Sequence, residues 1–548
     1  MSITGTRFAT PFVTPEDEAR YLGAGYWTAD VTLAKLLQRN ARNWPDRIAV
    51  VDAAGRQLSY AQLSERATRL AAALRGRGFV PGDVAGIQLP NRVEAVLCAL
   101  AVQLAGGIVC PLVTPYRRRE LSFIVGRTGM KALVVPGTYR GFDHDELARS
   151  LRADHPELTI PVTLTDEPTP GLVRLADLLA EQAPPLDPYD ADARDVAAIL
   201  FTSGTEADPK GILHTHNTLL ANLRALQSML GLGDGDGVFM ASPLGHGTGY
   251  GFGTYLAIYL GSTLALLDVW DAARAAELMS RHHSVYTHGA TPFVQDLLNS
   301  PAAAQADLSD LRYFVTGGAT VPPGTAGRVR DVLGCQLLRL YGQTEGFMAT
   351  LSRVDDPLST VESTDGRPVA GVEVRVLDED GNDVPPGIVG ECVYKGPHRC
   401  VGYLDDDVRA AASVTRDNWF RSGDLVRFVD GSLSVSGRKK EVINRGGYKY
   451  SPREVEDVLA NHPDIERVAV VRMDDPRLVD RACAFVVARG GAQPTVRSIG
   501  EYLRTSGIAS FKWPERVEVV GELPMTASGK VQKFVLEARL RTTVGDQA

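Results

Sequence analysis

Residues 202–211 read Thr-Ser-Gly-Thr-Glu-Ala-Asp-Pro-Lys-Gly. The hydroxyls of Thr202, Ser203 and Thr205, the backbone N–H groups around Gly204, and the Lys210 ammonium are donors that can converge on one anion, as phosphate loops do. The pattern is not a Walker loop, which ends Gly-Lys-Ser/Thr where this segment ends Pro-Lys-Gly. Surface turns share the composition, so the segment alone leaves phosphate binding and a flexible turn both open. Glu206 is a carboxylate placed among these donors.

Such a loop needs firm elements on both sides. Residues 196–201, VAAILF, are a short apolar run with β-branched members, which predicts a buried strand. Beyond Asn217, the leucines at 219, 223, 226 and 230 recur at three- and four-residue spacing, which predicts an amphipathic helix capped by Thr215 or Asn217. The segment is therefore expected to link a strand directly to a helix. Residues 59–78 predict another helix, with Ser59 and Gln62 as a capping box and glycines past its end. Short apolar runs at 84–89, 108–113 and 132–137 predict buried strands, and the alternation argues for α/β layers. The stretch 155–195 reads as surface connections.

A chain of 548 residues exceeds one core and implies two or more domains. Its 44% hydrophobic and 23% charged residues are those of an ordinary globular protein, and a net charge of −8 argues against nucleic acid or an anionic membrane as partner. Six scattered cysteines form no CxxC pair, and Cys392, His398 and Cys400 lack a fourth ligand, so neither disulfides nor a zinc site is expected. The first twelve residues lack the build of a signal peptide, and the apolar stretch 93–113, broken by Glu94, Gln103 and two glycines, reads as helix then strand instead of a membrane span. The cytoplasm is the expected location. Composition shifts near 430–450, where SGRKKEVINRGGYKY is basic, and Ser451, Pro452 and Glu454 then form a helix start. The remainder predicts a compact α+β unit.

Six segments stand in one order: FTSGTEADPKG (201–211), VTGGA (315–319), YGQTEG (341–346), RSGDL (421–425), GRKKEVINRGG (437–447) and PMTASGK (524–530). Together they resemble the adenylate-forming superfamily of acyl-CoA synthetases, stand-alone adenylation domains and luciferases. HTHNTLLAN (214–222), PLGHGTGYG (243–251) and GATPFVQDLLN (289–299) look most like short- and medium-chain or alicyclic acyl-CoA ligases. The resemblance implies an α/β fold, with a large N-terminal domain of layered subdomains (1–437) and a small mobile α+β C-terminal domain (438–548). It implies a carboxylic acid, ATP, Mg²⁺ and coenzyme A, and two steps: attack of the carboxylate on the α-phosphate, giving acyl-adenylate and pyrophosphate, then attack of the CoA thiolate, giving thioester and AMP.

The same resemblance implies roles for single residues. Lys530 contacts carboxylate and α-phosphate; Thr344 meets the α-phosphate and Glu345 holds Mg²⁺, within a turn that also contains Gly342 and Gln343. Asp424 accepts from the ribose hydroxyls and Arg438 approaches ribose and phosphates. Gly317, Gly318 and Ala319 pack on adenine, and Tyr341 stacks on it. His246 lines the acyl pocket beside Gly318; His288 is either pocket wall or core; Thr291, Pro292 and Phe293 shape the site. Lys440 is the hinge, and Gly446, Gly447 and Tyr448 border the pantetheine channel.

This sequence departs from the pattern at Glu206-Ala207, where most members have Thr-Gly. A carboxylate about 5 Å from a phosphate oxygen costs about 3 kcal/mol at an effective dielectric near 20. That raises an alternative, a ligase specialised for the thioester half-reaction on adenylate supplied by a partner enzyme. A second alternative is loading of a carrier protein in trans, and a third is a non-catalytic nucleotide-binding relative. GLGDGDG (231–237) follows a helix and reads as a tight turn, and Arg117, Arg118 and Arg119 read as a solvated run.

Overall fold

The structure is a computed structural model that describes residues 12–181, 189–202, 209–318, 321–526 and 530–545. Among the described residues the strands form two large sheets, a four-stranded antiparallel sheet, a five-stranded C-terminal sheet and a two-stranded one. The nine-stranded sheet has a parallel centre in which Gln336–Tyr341, Tyr313–Gly317, Ser284–Gly289, Gly237–Met240, Leu264–Leu266 and Ile48–Asp52 lie side by side. The eight-stranded sheet runs from Gly402–Tyr403 through Lys210–Thr215, Val196–Thr202, Ile108–Pro111 and Val84–Ile87 to Val173–Arg174. The α/β expectation holds.

The helix Val93–Leu104 shows how the layers are joined. It is apolar on nearly every side, and its residues from Ala95 to Leu104 are all buried. A helix of that composition needs protein all around it, and this one packs against strands of both large sheets. Just before it, the buried Asn91 donates to the carbonyls of Ser242 and Leu267, both at 3.0 Å, and accepts from Leu244 N–H at 2.8 Å. One side-chain amide thereby pins the loop that carries His246.

Three readings of the sequence need correction. The segment 202–211 does not pass directly into a helix: Lys210–Thr215 is a strand, antiparallel to Val196–Thr202 with Thr202 opposite Lys210, and the helix His216–Leu230 follows it. Gly211, Ile212 and Leu213 are buried in the sheet, and six residues were too few to register as a strand beside the strong leucine period. Thr215, not Asn217, caps the helix, in a capping box with Thr218. The stretch 155–195 is not all surface, because Ile160–Thr163 is a fully buried strand paired with Ala132–Val135. Ser451 does cap Pro452–Leu459, but through Arg453 N–H, while Glu454 pairs with Lys512.

The C-terminal sheet is built from Tyr448–Tyr450, Ile443–Arg445, Val479–Ala488 and Ile465–Asp475, with Arg516–Val519 on the Val479–Ala488 strand. Helices Pro452–Leu459 and Val496–Thr505 bury Val455, Leu459, Ile499 and Leu503 in its own core. Among the described residues, no helix is long and apolar enough to cross a membrane.

Candidate functional site

Four neighbouring parallel strands deliver site residues at their carboxyl ends, where ligands of open α/β sheets bind. Tyr313–Gly317 ends in Gly317 and Gly318, Gln336–Tyr341 ends in Tyr341, Ser284–Gly289 carries His288, and the loop after Gly237–Met240 carries His246. Gly317 has no room for a side chain: a Cβ there would lie 2.4 Å from the Leu340 carbonyl oxygen. Gly318 adopts φ +79°, and a Cβ on it would stand 2.9 Å from Lys530 Cε and 3.2 Å from Nζ. Lys530, more than two hundred residues away in sequence, is thus brought to the end of this strand.

The turn after Tyr341 is held rigidly. Tyr341 O–H donates to Asp424 Oδ2 at 2.9 Å, and Arg438 Nε stands 3.5 Å from Asp424 Oδ1. Gln343 Nε2 reaches the Ser422 carbonyl at 3.4 Å. Asp424 and Arg438 face each other across the antiparallel pair Phe420–Val429 and Ser432–Arg438. Burial raises the Asp424 pKa above the ordinary value, against the opposing pull of Arg438, the Tyr341 hydroxyl and Lys530.

Glu345 is buried, with its side chain 5% exposed. Its Oε1 accepts from Lys210 Nζ at 3.1 Å and from Tyr403 O–H at 3.0 Å, and its backbone carbonyl accepts from Cys400 N–H at 2.7 Å. Lys210 also lies 4.9 Å over the Tyr403 ring. Glu345 therefore presents one hard oxygen donor beside a lysine. Among the described residues there is no cluster of three or more His, Cys, Asp or Glu able to hold a metal. A single carboxylate suits Mg²⁺, which commonly takes one or two carboxylates and completes its shell with phosphate oxygens and water.

Lys530 is exposed, yet the protein around its ammonium removes part of its hydration. That desolvation lowers its pKa, with Arg438 adding to the shift and Asp424 and Glu345 opposing it. Desolvation and Lys530 push His246 down to about 4, and desolvation and His246 push His288 down to about 3. Both imidazoles are neutral near pH 7. His288 is buried with its ring centroid 4.7 Å from that of Phe252, which lies 5.9 Å from Phe347.

Not every expected residue joins this cluster. Gly446, Gly447 and Tyr448 are exposed on the C-terminal sheet, where Tyr448 packs on Phe511 at 5.0 Å. Lys440 lies in the short turn Lys439–Glu441. Thr291 and Phe293 sit on the helix Thr291–Leu298, and Phe293 stacks on Trp270 at 4.1 Å. Ser203, Gly204, Thr205, Glu206, Ala207 and Ala319 lie outside the described residues. Sequence reading missed Tyr403 and His214. His214 opens the segment HTHNTLLAN, which implies no role for it, and Tyr403 lies in none of the motifs; Tyr403 reaches Glu345 across 58 positions, and His214 reaches the Thr344 carbonyl across 130.

The model of the AMP-binding enzyme family matches residues 37–404, and that of the AMP-binding enzyme C-terminal domain matches residues 454–530. The chain is 36% identical to the medium-chain fatty-acid–CoA ligase of Escherichia coli, over 94% of this chain and 92% of that protein. It is 34% identical to the salicyl-AMP ligase/salicyl-S-ArCP synthetase of Mycobacterium tuberculosis, over 97% and 94% respectively. Among solved structures, an anthranilate CoA ligase in complex with anthranoyl-AMP superposes with a TM-score of 0.86 at 25% identity, covering 95% of this chain and 99% of that one. The chain belongs to the AMP-binding enzyme family, within the adenylate-forming superfamily. It is a ligase that activates a carboxylic acid with ATP as an acyl-adenylate and passes the acyl group to a thiol.

Proposed function

We propose that the thiol is that of coenzyme A and that the acid carries an uncharged, largely apolar tail. The observation that carries the second part is the largely buried, neutral cluster that adjoins Lys530 through His246. It consists of neutral His246, neutral His288 and the rings of Phe252 and Phe347, and among the described residues no carboxylate offsets the lowered pKa of either imidazole. A charged or strongly polar tail would lose hydration there without a partner. In this reading Lys530 meets the reacting carboxylate and α-phosphate, with Thr344 beside it. Asp424 and Arg438 take the ribose, while Gly317, Gly318 and Tyr341 take the base. Thr202 and Lys210 face the outer phosphates. Mg²⁺, held by Glu345, would neutralise phosphate charge.

The division at 437/438 and a swing about Lys440 complete the proposal. Lys530 beside Gly318 supports an adenylation-ready arrangement. The exposed Gly446 and Gly447, with nothing within 4 Å of a Cβ placed on Gly447, support a channel face that comes into use only after rotation. Two of the three relatives named above are CoA ligases by name, and the third makes a salicyl-S-ArCP product. A carrier protein in trans is the competing acceptor. The half-reaction alternative rests on Glu206 and Ala207, outside the described residues. We place the enzyme in the cytoplasm, where ATP and CoA are at hand.

ATP–pyrophosphate exchange across short, medium, alicyclic, aromatic and dicarboxylic acids tests the pocket. Exchange is expected with monocarboxylic acids bearing apolar tails, and a preference for dicarboxylic or amino acids would refute it. Product analysis with free CoA against a phosphopantetheinylated carrier protein decides the acceptor. Brisk exchange with any acid would end the half-reaction alternative.

A further inference from the structure

We infer that His214 is a positioning residue for adenylation, acting through the Thr344 carbonyl; the inference rests on the ligase reading above. His214 Nε2 lies 2.8 Å from Thr344 O, and Nδ1 lies 3.0 Å from Thr218 Oγ1. A carbonyl only accepts, so Nε2 carries the proton; in a neutral ring Nδ1 then accepts from the Thr218 hydroxyl. The ring is fully buried and packs edge-on against Phe347 at 5.0 Å. It has no rotational freedom to spend elsewhere.

The strand supplies the logic. Lys210 and His214 are four residues apart on Lys210–Thr215, with no register shift between them, so they lie on one face. Lys210 holds the Glu345 carboxylate, and His214 holds the preceding carbonyl. With Cys400 N–H on the Glu345 carbonyl, the two peptide carbonyls that flank the Glu345 Cα are both held. A single strand thus sets both the direction of the Glu345 carboxylate and the orientation of Thr344. The thioester step begins with the phosphoryl chemistry complete, so this grip matters for the first step and much less for the second.

The test uses full-length protein with the acid that gives the fastest exchange. His214→Asn and His214→Gln both fill the site with an amide, but only glutamine is long enough to place a donor at the Nε2 position. His214→Asn is expected to slow ATP–pyrophosphate exchange about tenfold, the weight of one hydrogen bond. The loss should fall on kcat, with the KM for ATP and thioester formation from supplied acyl-adenylate each within about threefold of wild type. His214→Gln should recover most of the rate. Nitrogen-15 NMR of the histidines should show His214 as the neutral Nε2–H tautomer. Equal loss in both steps, no rescue by glutamine, or an Nδ1–H tautomer would each overturn the inference. Wild-type exchange with an unimpaired His214→Asn would overturn this inference alone; no exchange in the wild type would overturn the ligase reading along with it.

Discussion

Replacing Lys530 with methionine keeps the length of the stem and removes the charge. An ammonium about 4 Å from a phosphate oxygen contributes about 4 kcal/mol at an effective dielectric near 20. If all of that appeared in the adenylation transition state, the rate would fall roughly 10³-fold. Arg438 stands in the same electrostatic neighbourhood and retains part of the positive potential. The expected loss is therefore roughly 10² to 10³, the range of other preorganised electrostatic contacts. Exchange of labelled pyrophosphate into ATP measures this step, and thioester formation from synthetic acyl-adenylate measures the other, which should remain near wild type. The lowered Lys530 pKa adds a pH signature. The ammonium persists below that value and is lost as pH rises through it, so adenylation should decline on the alkaline side below 10.5. Lys530→Arg should displace that decline to higher pH. Equal loss in both steps, or an alkaline limb indifferent to Lys530→Arg, would refute the assignment.

Tyr403→Phe removes one of the two donors on Glu345 Oε1 while leaving the ring packed edge-on against Phe12. A hydrogen bond to a buried carboxylate weighs about 1.5–3 kcal/mol, so adenylation should slow about 10- to 100-fold, while a melting curve records whether the fold survives. Asp424→Asn keeps the shape but weakens acceptance from ribose; the KM for ATP should rise about tenfold or more in steady-state kinetics. In wild type the raised Asp424 pKa means that nucleotide affinity is lost as pH falls through a value above 3.8, readable by titration calorimetry with AMP. Gly447→Trp places its ring in open space but at φ +95°, at a strain of about 1–2 kcal/mol. Adenylation should persist and CoA transfer should fail in the paired assays; undiminished CoA transfer would remove the channel assignment.

What the sequence revealed and what it concealed differ by the range of the interaction. The helix Tyr60–Gly76 was readable because Ser59, Gln62 and the apolar period are all local, and its capping box forms as expected. The strands Val84–Ile87 and Ala132–Val135 were readable because sheets buried on both faces demand unbroken apolar runs. Lys210–Thr215 escaped because its Lys, Gly and two polar ends interrupt any period, and its burial comes from Gly402–Tyr403 and Val196–Thr202 on either side. Motif order singled out Thr344, Glu345, Asp424 and Lys530. It could not reveal that Tyr403 and Lys210 share one carboxylate oxygen, because that depends on the pairing of Ile212 with Tyr403 across a sheet edge.

That pairing explains why the two ends of the site are built so differently. Glu345 is gripped by Lys210, Tyr403 and Cys400 N–H within the large sheets, so its direction is set before any nucleotide arrives. Preorganisation of this kind lowers the reorganisation needed when charge develops at phosphorus. Lys530 has no such enclosure. Its backbone N–H is held by the Thr526 hydroxyl at 3.0 Å, and its chain extends over Gly318, a residue whose missing side chain leaves the approach open. If the small domain swings as proposed, locking this charge with buried partners would hinder it, because each broken buried ion pair would add about 3–5 kcal/mol to the motion. On the proposed rotation, the fixed carboxylate and the loosely held ammonium are complementary: the first step would use both charges at phosphorus, and the second would need Lys530 gone.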